Sequence, residues 1–238
     1  MAERLSQLVK LSIDSWAVRL RAESPLTAAA ERGQLTPRAL ALYLESLRYV
    51  FKQSQANIRA AAVRAEALQL SELAAYFREK ASEEQGHEQW AENDLQQLPD
   101  DAVQGIEPAA ACLALVALQE LLIDQHPLCF LAYTVWAEYL TASLGAEWLS
   151  LLANCGYDRS AVSAVAKHVD ADVDHAFEGF DALDRLWHGE PAAVDILAGI
   201  EHAERGFETF CIEVSQLDRP ARATPTADAG DVRSNPPT

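Results

Sequence analysis

Apolar residues recur at helical spacing along most of this 238-residue chain, and no run alternates apolar and polar residues long enough to predict a β-sheet. Half of the residues are apolar, which is enough for a sizeable core. Proline and glycine divide the periodic pattern into separate helices. The predicted helices cover residues 36–62, 71–98, 108–124, 128–144, 148–152, 158–187 and 192–216. The pattern therefore predicts one all-α domain of about seven helices within residues 1–218.

Several residues predict where these helices begin and end. Thr36 precedes Pro37, a pair typical of a capped first turn. Gly145 is expected to interrupt the apolar helix before it, and Asp158 is expected to cap the long helix that follows. Residues 219–238 are rich in Pro, Ala, Thr and Asp and nearly lack large apolar side chains, so they are predicted to form a disordered tail.

Charge and composition exclude some classes of partner. The chain has 36 acidic residues against 19 lysines and arginines, a net charge of −17, so it would repel a polyanion and no nucleic-acid partner is expected. The N-terminus has no apolar signal-peptide segment, and the apolar stretches are interrupted well short of a membrane span. We therefore expect a cytoplasmic protein with no membrane partner. The four cysteines are scattered and form no C-x-x-C pair, which disfavours a zinc ribbon.

A metal-binding pattern lies within the long helix predicted at residues 158–187. His168, Asp172 and His175 are spaced i, i+4 and i+7, so they fall within about 60° of one another on one helix face. Two imidazoles and a carboxylate are ligands that suit iron, manganese or zinc. Since a solvated face could carry two histidines by chance, this pattern alone leaves both interpretations open.

Two further elements could supply the rest of a metal cage. Glu84 and His87 form the Glu-x-x-His pairing that helical di-iron carboxylate proteins use, although the pairing is also common on exposed acidic helices. Glu138 is an isolated carboxylate within a strongly apolar helix. Burying such a group is unfavourable unless it is paired or bound to a metal, so Glu138 is the most informative single carboxylate.

In this order, the three elements resemble the heme-oxygenase-like diiron oxidases, often called iron-containing redox enzymes. The resemblance covers roughly residues 20–215, and His168-x3-Asp172-x2-His175 is its most specific motif. It implies a seven-helix heme-oxygenase-like bundle with two non-heme irons per chain in place of heme. It also implies an enzyme that uses dioxygen as co-substrate.

The resemblance carries over to individual residues. It implies His87, Glu138, His168, Asp172 and His175 as iron ligands. It adds Glu84 from the branches that use Glu-x-x-His. Other branches place a glutamate seven residues before the histidine, and that position here is Lys80, which cannot ligate a metal while protonated. Some members draw a glutamate from the first long helix, for which Glu45 is the nearest candidate, although Ser46 is the other possible match.

The resemblance also implies a substrate class. Related enzymes oxidise amino acids and fatty acids by N-oxygenation, desaturation or carbon–carbon cleavage, many in natural-product or cofactor biosynthesis. We therefore expect a small amino-acid-like or aliphatic carboxylic acid, with Lys80 and Tyr133 as substrate-binding residues. A homodimer would be ordinary for the fold, and the reaction is compatible with an external electron donor.

Two alternatives have the same fold. The segment around Cys129 is similar to the cysteine-plus-tyrosine segment of thiaminase II, a hydrolase in which Glu204 or Glu208 would supply the C-terminal acid. A nucleophilic cysteine needs a stabilised thiolate, however, and no basic neighbour of Cys129 is evident in the sequence. The second alternative is a metal-free binding protein, which the lysine at position 80 keeps open.

Overall fold

The computed structural model describes residues 4–217, which form nine helices of at least seven residues, one single helical turn and no strand. The elements are α1 (Leu5–Glu23), α2 (Pro25–Glu31), α3 (Pro37–Ala67), α4 (Ser71–Glu83), α5 (Glu88–Leu95), α6 (Asp100–Val103), α7 (Ala110–Gln125), α8 (Pro127–Asn154), α9 (Ser163–Leu186) and α10 (Ala193–Gln216). The all-α prediction is confirmed, but seven helices were too few. The tail predicted at residues 219–238 lies outside the described residues. Within residues 4–217, every helix is too short or too polar to cross a membrane.

The two N-terminal helices were not among the predicted elements, although the sequence carries their signal. On α1, one face buries apolar residues three or four positions apart: Leu5, Val9, Ile13, Trp16 and Leu20. α2 begins with a capping pair, because the Ser24 hydroxyl accepts a hydrogen bond from the Thr27 N–H and proline follows it at the first helical position.

The predicted helix at residues 71–98 is in fact two helices separated by a turn. α4 ends at Glu83 and α5 begins at Glu88. Gly86, between them, has a φ of 89°, in the left-handed region that only glycine adopts readily. The turn matters for function because it contains both Glu84 and His87, which therefore do not lie on one continuous helix.

α8 and α9 pack closely along their lengths, and two glycines allow this approach. A Cβ at Gly145 would lie 2.3 Å from Val169 Cγ2, and one at Gly179 would lie 2.5 Å from Val135 Cγ2. Gly145 was predicted to interrupt its helix, but α8 continues through it to Asn154. Its role is to remove a side chain from the contact with α9.

α9 begins at Ser163 and not at Asp158 as predicted. Asp158 accepts hydrogen bonds from the N–H groups of Ser160 and Ala161 in the turn before the helix. The first turn of α9 is instead bound by Asp94, a fully buried residue of α5. The Ser163 hydroxyl and the Ala164 N–H donate to its two carboxylate oxygens at 2.6 and 2.7 Å. This contact fixes α5, which follows His87, against α9, which carries His168.

Candidate metal centre

The structure brings five of the predicted ligands together as two adjoining groups that share one carboxylate, whereas Asp172 and Glu45 are in neither group. We call Glu84, His87 and His168 the His168 subsite, and Glu84, Glu138 and His175 the His175 subsite. In each group, one ligand atom from every residue lies within 4.8 Å of the others. α8, α9 and the turn between α4 and α5 supply these residues, so the packing of α9 against α8 and α5 determines whether the centre forms.

His168 is held in a defined orientation. Its Nδ1 lies 2.8 Å from the Ala164 carbonyl oxygen, and only a protonated Nδ1 can donate to that acceptor. In the neutral imidazole this contact selects the tautomer whose Nε2 has no proton, which is the form that binds a metal. The ring stacks on Phe51 at a centroid distance of 4.3 Å and meets the His87 ring edge-on at 4.9 Å. His87 in turn stacks on Trp90 at 4.0 Å, so three aromatic rings restrict the access of water.

Glu84 and His87 face each other across the turn that Gly86 allows. Glu84 Oε2 lies 2.9 Å from His87 Nδ1. Burial raises the pKa of Glu84, but His87, His168 and Lys80 together outweigh burial, and the resulting pKa lies below the ordinary value of 4.5. The carboxylate is therefore ionised at neutral pH, as a metal ligand must be.

The His175 subsite contains a cation of its own. Lys80 Nζ lies 3.1 Å from Glu138 Oε1 and 3.1 Å from Glu83 Oε2. Burial raises the pKa of Glu138 to about 7, although Lys80 opposes this rise. Asp172 is buried beside His175, with 3.7 Å between Oδ1 and Nδ1, and its carboxylate raises the pKa of His175.

Several polar atoms of the centre are buried without a hydrogen-bond partner. Among the described residues these include His168 Nε2, His175 Nδ1 and Glu138 Oε2. Buried polar atoms are nearly always satisfied, because removing them from water without a partner is unfavourable. His168 Nε2 belongs to the His168 subsite, whereas His175 Nδ1 and Glu138 Oε2 belong to residues of the His175 subsite. All three are metal-ligand atoms, which is consistent with a metal ion at the centre.

The structure separates most of the other predicted site residues from this centre. Glu45 lies in neither subsite, because its two carboxylate oxygens accept hydrogen bonds from Arg48 at 2.6 and 2.7 Å. Ser46 faces the core, where its hydroxyl donates to the Leu42 carbonyl. Tyr133 is a core residue whose hydroxyl oxygen accepts a hydrogen bond from the buried Gln119. Lys80 does lie at the centre, but its ammonium is already paired with Glu83 and Glu138.

An apolar cavity of about 180 Å³ reaches the centre at His168 and was not foreseen from the sequence. Its lining includes Leu20, Leu26, Leu47, Phe51, Leu140, Leu144, Leu151, Val165 and Phe207. Arg21 and Glu147 also line it, and the exposed Arg21 forms an ion pair with the half-buried Glu147 at 2.7 Å. Because the lining comes from six different helices, local sequence patterns could not have predicted it.

The structure does not support a nucleophilic cysteine. Cys129 is buried, with only 2% of its surface exposed, and burial raises the pKa of its thiol to about 11. A reactive cysteine has a lowered pKa, because the thiolate is the nucleophile. The environment of Cys129 therefore argues against the hydrolase alternative.

Asp94→Ala is expected to lower the free energy of unfolding by about 1–2 kcal/mol, because it leaves the buried Ala164 N–H and the Ser163 hydroxyl without their acceptor. Urea denaturation monitored by circular dichroism measures the change. Asp158→Ala is the matched control, since it removes an exposed carboxylate from the preceding turn. Equal losses in both variants would contradict a special role for Asp94.

Neither a protein-family model nor a curated protein matches this sequence. Solved structures do match. A domain of unknown function with a heme oxygenase-like fold from Shewanella denitrificans OS217 is 19% identical, with a TM-score of 0.77, and the match covers 93% of this chain and 100% of that chain. A CADD-like protein of unknown function from Nostoc punctiforme PCC 73102 matches in two structures, at 15% and 16% identity with TM-scores of 0.66 and 0.54. Those two matches each cover 89% of this chain and 99% and 96% of the other. The fold is therefore heme-oxygenase-like, as the sequence resemblance implied.

Proposed function

We propose that this protein is a non-heme iron oxidoreductase that uses dioxygen to oxidise a small carboxylic acid. The observation that carries the proposal is the His168 subsite, where two imidazoles and one carboxylate converge in a half-buried position. Two histidines and one carboxylate are the ligand set of many non-heme iron oxygenases. When bound, iron would supply the one-electron and dioxygen chemistry that protein side chains lack.

The residues around the ligands support this function in three ways. The Ala164 carbonyl holds His168 with Nε2 available as a ligand atom. Phe51 and Trp90 cover the imidazoles, which limits the entry of water to the reacting centre. Asp94 fixes the α9 turn from which His168 projects.

The apolar cavity is the substrate site of the proposal. It reaches His168 at one place and the exposed Arg21 at another, so an aliphatic or amino-acid-like chain could lie in it. Its carboxylate would bind the guanidinium in place of Glu147, which pairs with Arg21 at the surface, whereas the pairing of Lys80 is buried. This assignment replaces Lys80 and Tyr133 as the predicted substrate-binding residues. N-oxygenation, desaturation and oxidative carbon–carbon cleavage remain the predicted reactions.

Anaerobic titration of the metal-free protein with ferrous ion tests the proposal. We expect His168→Ala to weaken iron binding by at least about 100-fold, because loss of a ligand should exceed the 10–100-fold effect of outer-shell changes. His202→Ala is the matched control. His202 is exposed and, like His168, has its Nδ1 close to the carbonyl oxygen of the residue four positions earlier, here Ala198. Oxygen consumption by the iron-loaded protein with a panel of carboxylic acids then tests the reaction.

Two results would contradict the proposal. One is the absence of ferrous binding to the wild-type protein, which would favour a metal-free binding protein of the same fold. The other is unchanged iron affinity in His168→Ala, which would place the metal elsewhere.

A further inference from the structure

We infer that the Lys80 ammonium takes the place of a second metal ion, so that the centre binds one metal ion, at the His168 subsite. This inference rests on the proposed function and departs from the two irons that the family resemblance implies. It follows from the contacts of Lys80 within the His175 subsite.

Lys80 is built into the centre and does not simply lie near it. Only 6% of its side chain is exposed, and its Nζ is 3.1 Å from Oε1 of Glu138, itself a member of the His175 subsite. The second contact, to Glu83, is at the same distance. A buried ammonium requires such partners, because removing an unpaired charge from water is very unfavourable.

A metal ion at the His175 subsite would compete with this ion pair. It would need the Glu138 carboxylate, and it would then either lie beside the Lys80 ammonium or separate it from its buried partner. In the first case, the metal ion and the ammonium are both positive and repel each other across the shared carboxylate. In the second case, the ammonium is left buried without a negative partner. Both outcomes weaken binding of a metal ion at this subsite.

The charges around Lys80 are consistent with an internal counter-ion. Negative groups approach it from α4 (Glu83) and α8 (Glu138), and α9 adds Asp172 close to Glu138. The His168 subsite has no such direct contact. Among the described residues, its carboxylate Glu84 pairs with His87, and Lys80 lowers the pKa of Glu84 only as a more distant charge. The two subsites therefore differ in whether a lysine ammonium is in direct contact with one of their carboxylates.

Metal stoichiometry measured on metal-free protein tests the inference. The probes are ferrous ion under anaerobic conditions and zinc ion as a redox-inactive substitute, with bound metal counted by elemental analysis after gel filtration. We expect wild-type protein to retain one ion per chain. Lys80→Glu, which replaces the ammonium with a carboxylate ligand, is expected to retain two. Lys80→Gln removes the charge without adding a ligand, and we expect it to bind a second ion more weakly than Lys80→Glu.

Lys52→Glu is the matched control, because Lys52 is exposed and this substitution changes the net charge equally. It should retain one ion, like the wild type. A second readout is thermal stability, because an added binding site should make the metal-induced rise in Tm larger in Lys80→Glu than in wild type. Lys80→Gln keeps the test decisive if Lys80→Glu does not fold without metal.

The possible outcomes separate this inference from the proposed function. Two ions in the wild type would overturn the inference and leave the proposed function intact. Zero ions would overturn both. One ion in both folded Lys80 variants would also overturn the inference, because Lys80 would then not be what excludes the second ion.

Discussion

Glu204→Gln is expected to stabilise the protein by up to about 3 kcal/mol at pH 8 and to have little effect on stability at pH 5. Glu204 lies on α10 with 5% of its surface exposed, and its Oε1 is buried without a hydrogen-bond partner. Burial raises its pKa from 4.5 to about 7, against the opposing effect of Arg19. The folded protein therefore favours the protonated carboxyl group.

The direction of the pH dependence follows from this raised pKa. Protonated Glu204 contributes stability that is fully present below about pH 4.5, the pKa in the unfolded chain. That contribution is lost as the pH rises towards and through about 7, because folding then keeps a carboxylate in an unfavourable position. A glutamine has a similar shape and does not ionise, so the variant avoids the loss.

Urea denaturation of wild type and Glu204→Gln at several values between about pH 5 and pH 8.5 measures the difference. Glu201→Gln on the same helix is the control, because Glu201 is exposed and pairs with Arg205 at the surface. We expect a stability difference that grows with pH only for Glu204→Gln. A difference independent of pH would show that Glu204 does not titrate in the way its burial implies.

The sequence indicated which residues come together at the candidate centre better than it indicated how the chain positions them. The spacing of His168, Asp172 and His175 defines a helix face without any knowledge of the fold, and Glu138 stands out because its neighbours are apolar. The structure places all four near one another, with His168 and His175 in different subsites. Local periodicity can predict which residues share a face, but it cannot predict which of them share one metal ion.

The features that were missed have different causes. The acidic segment around Gly86 has no apolar periodicity, so Gly86 is the main signal that the helix ends before His87. Glu45 was chosen for its position on a long helix, but its carboxylate is bound to Arg48 on the next turn, a local pair that the i, i+3 spacing allows. By contrast, Asp94 caps a helix that begins 69 residues later, and that contact becomes visible only when the helices are packed.

Gly179→Ala is expected to lower the free energy of unfolding by about 1–3 kcal/mol, because the added Cβ would lie 2.5 Å from Cγ2 of the fully buried Val135. The contact lies at the interface between α8 and α9, which carry Glu138, His168 and His175. The same Cβ would lie 3.6 Å from Glu138 Oε2. Any separation of the two helices would therefore also move Glu138 away from the candidate ligands on α9. We expect the double variant Gly179→Ala/Lys80→Glu to bind a metal ion at the His175 subsite more weakly than Lys80→Glu alone.

A double-mutant cycle with Val135→Ala identifies the cause of that loss. Val135→Ala removes the methyl group that the new Cβ would meet, so the double variant should be more stable than the sum of the two single effects predicts, by at least about 1 kcal/mol. Denaturation of the four proteins gives this interaction energy. If the two effects simply add, the destabilisation does not arise from this contact, and the close approach of α8 to α9 at Gly179 does not determine where Glu138 lies.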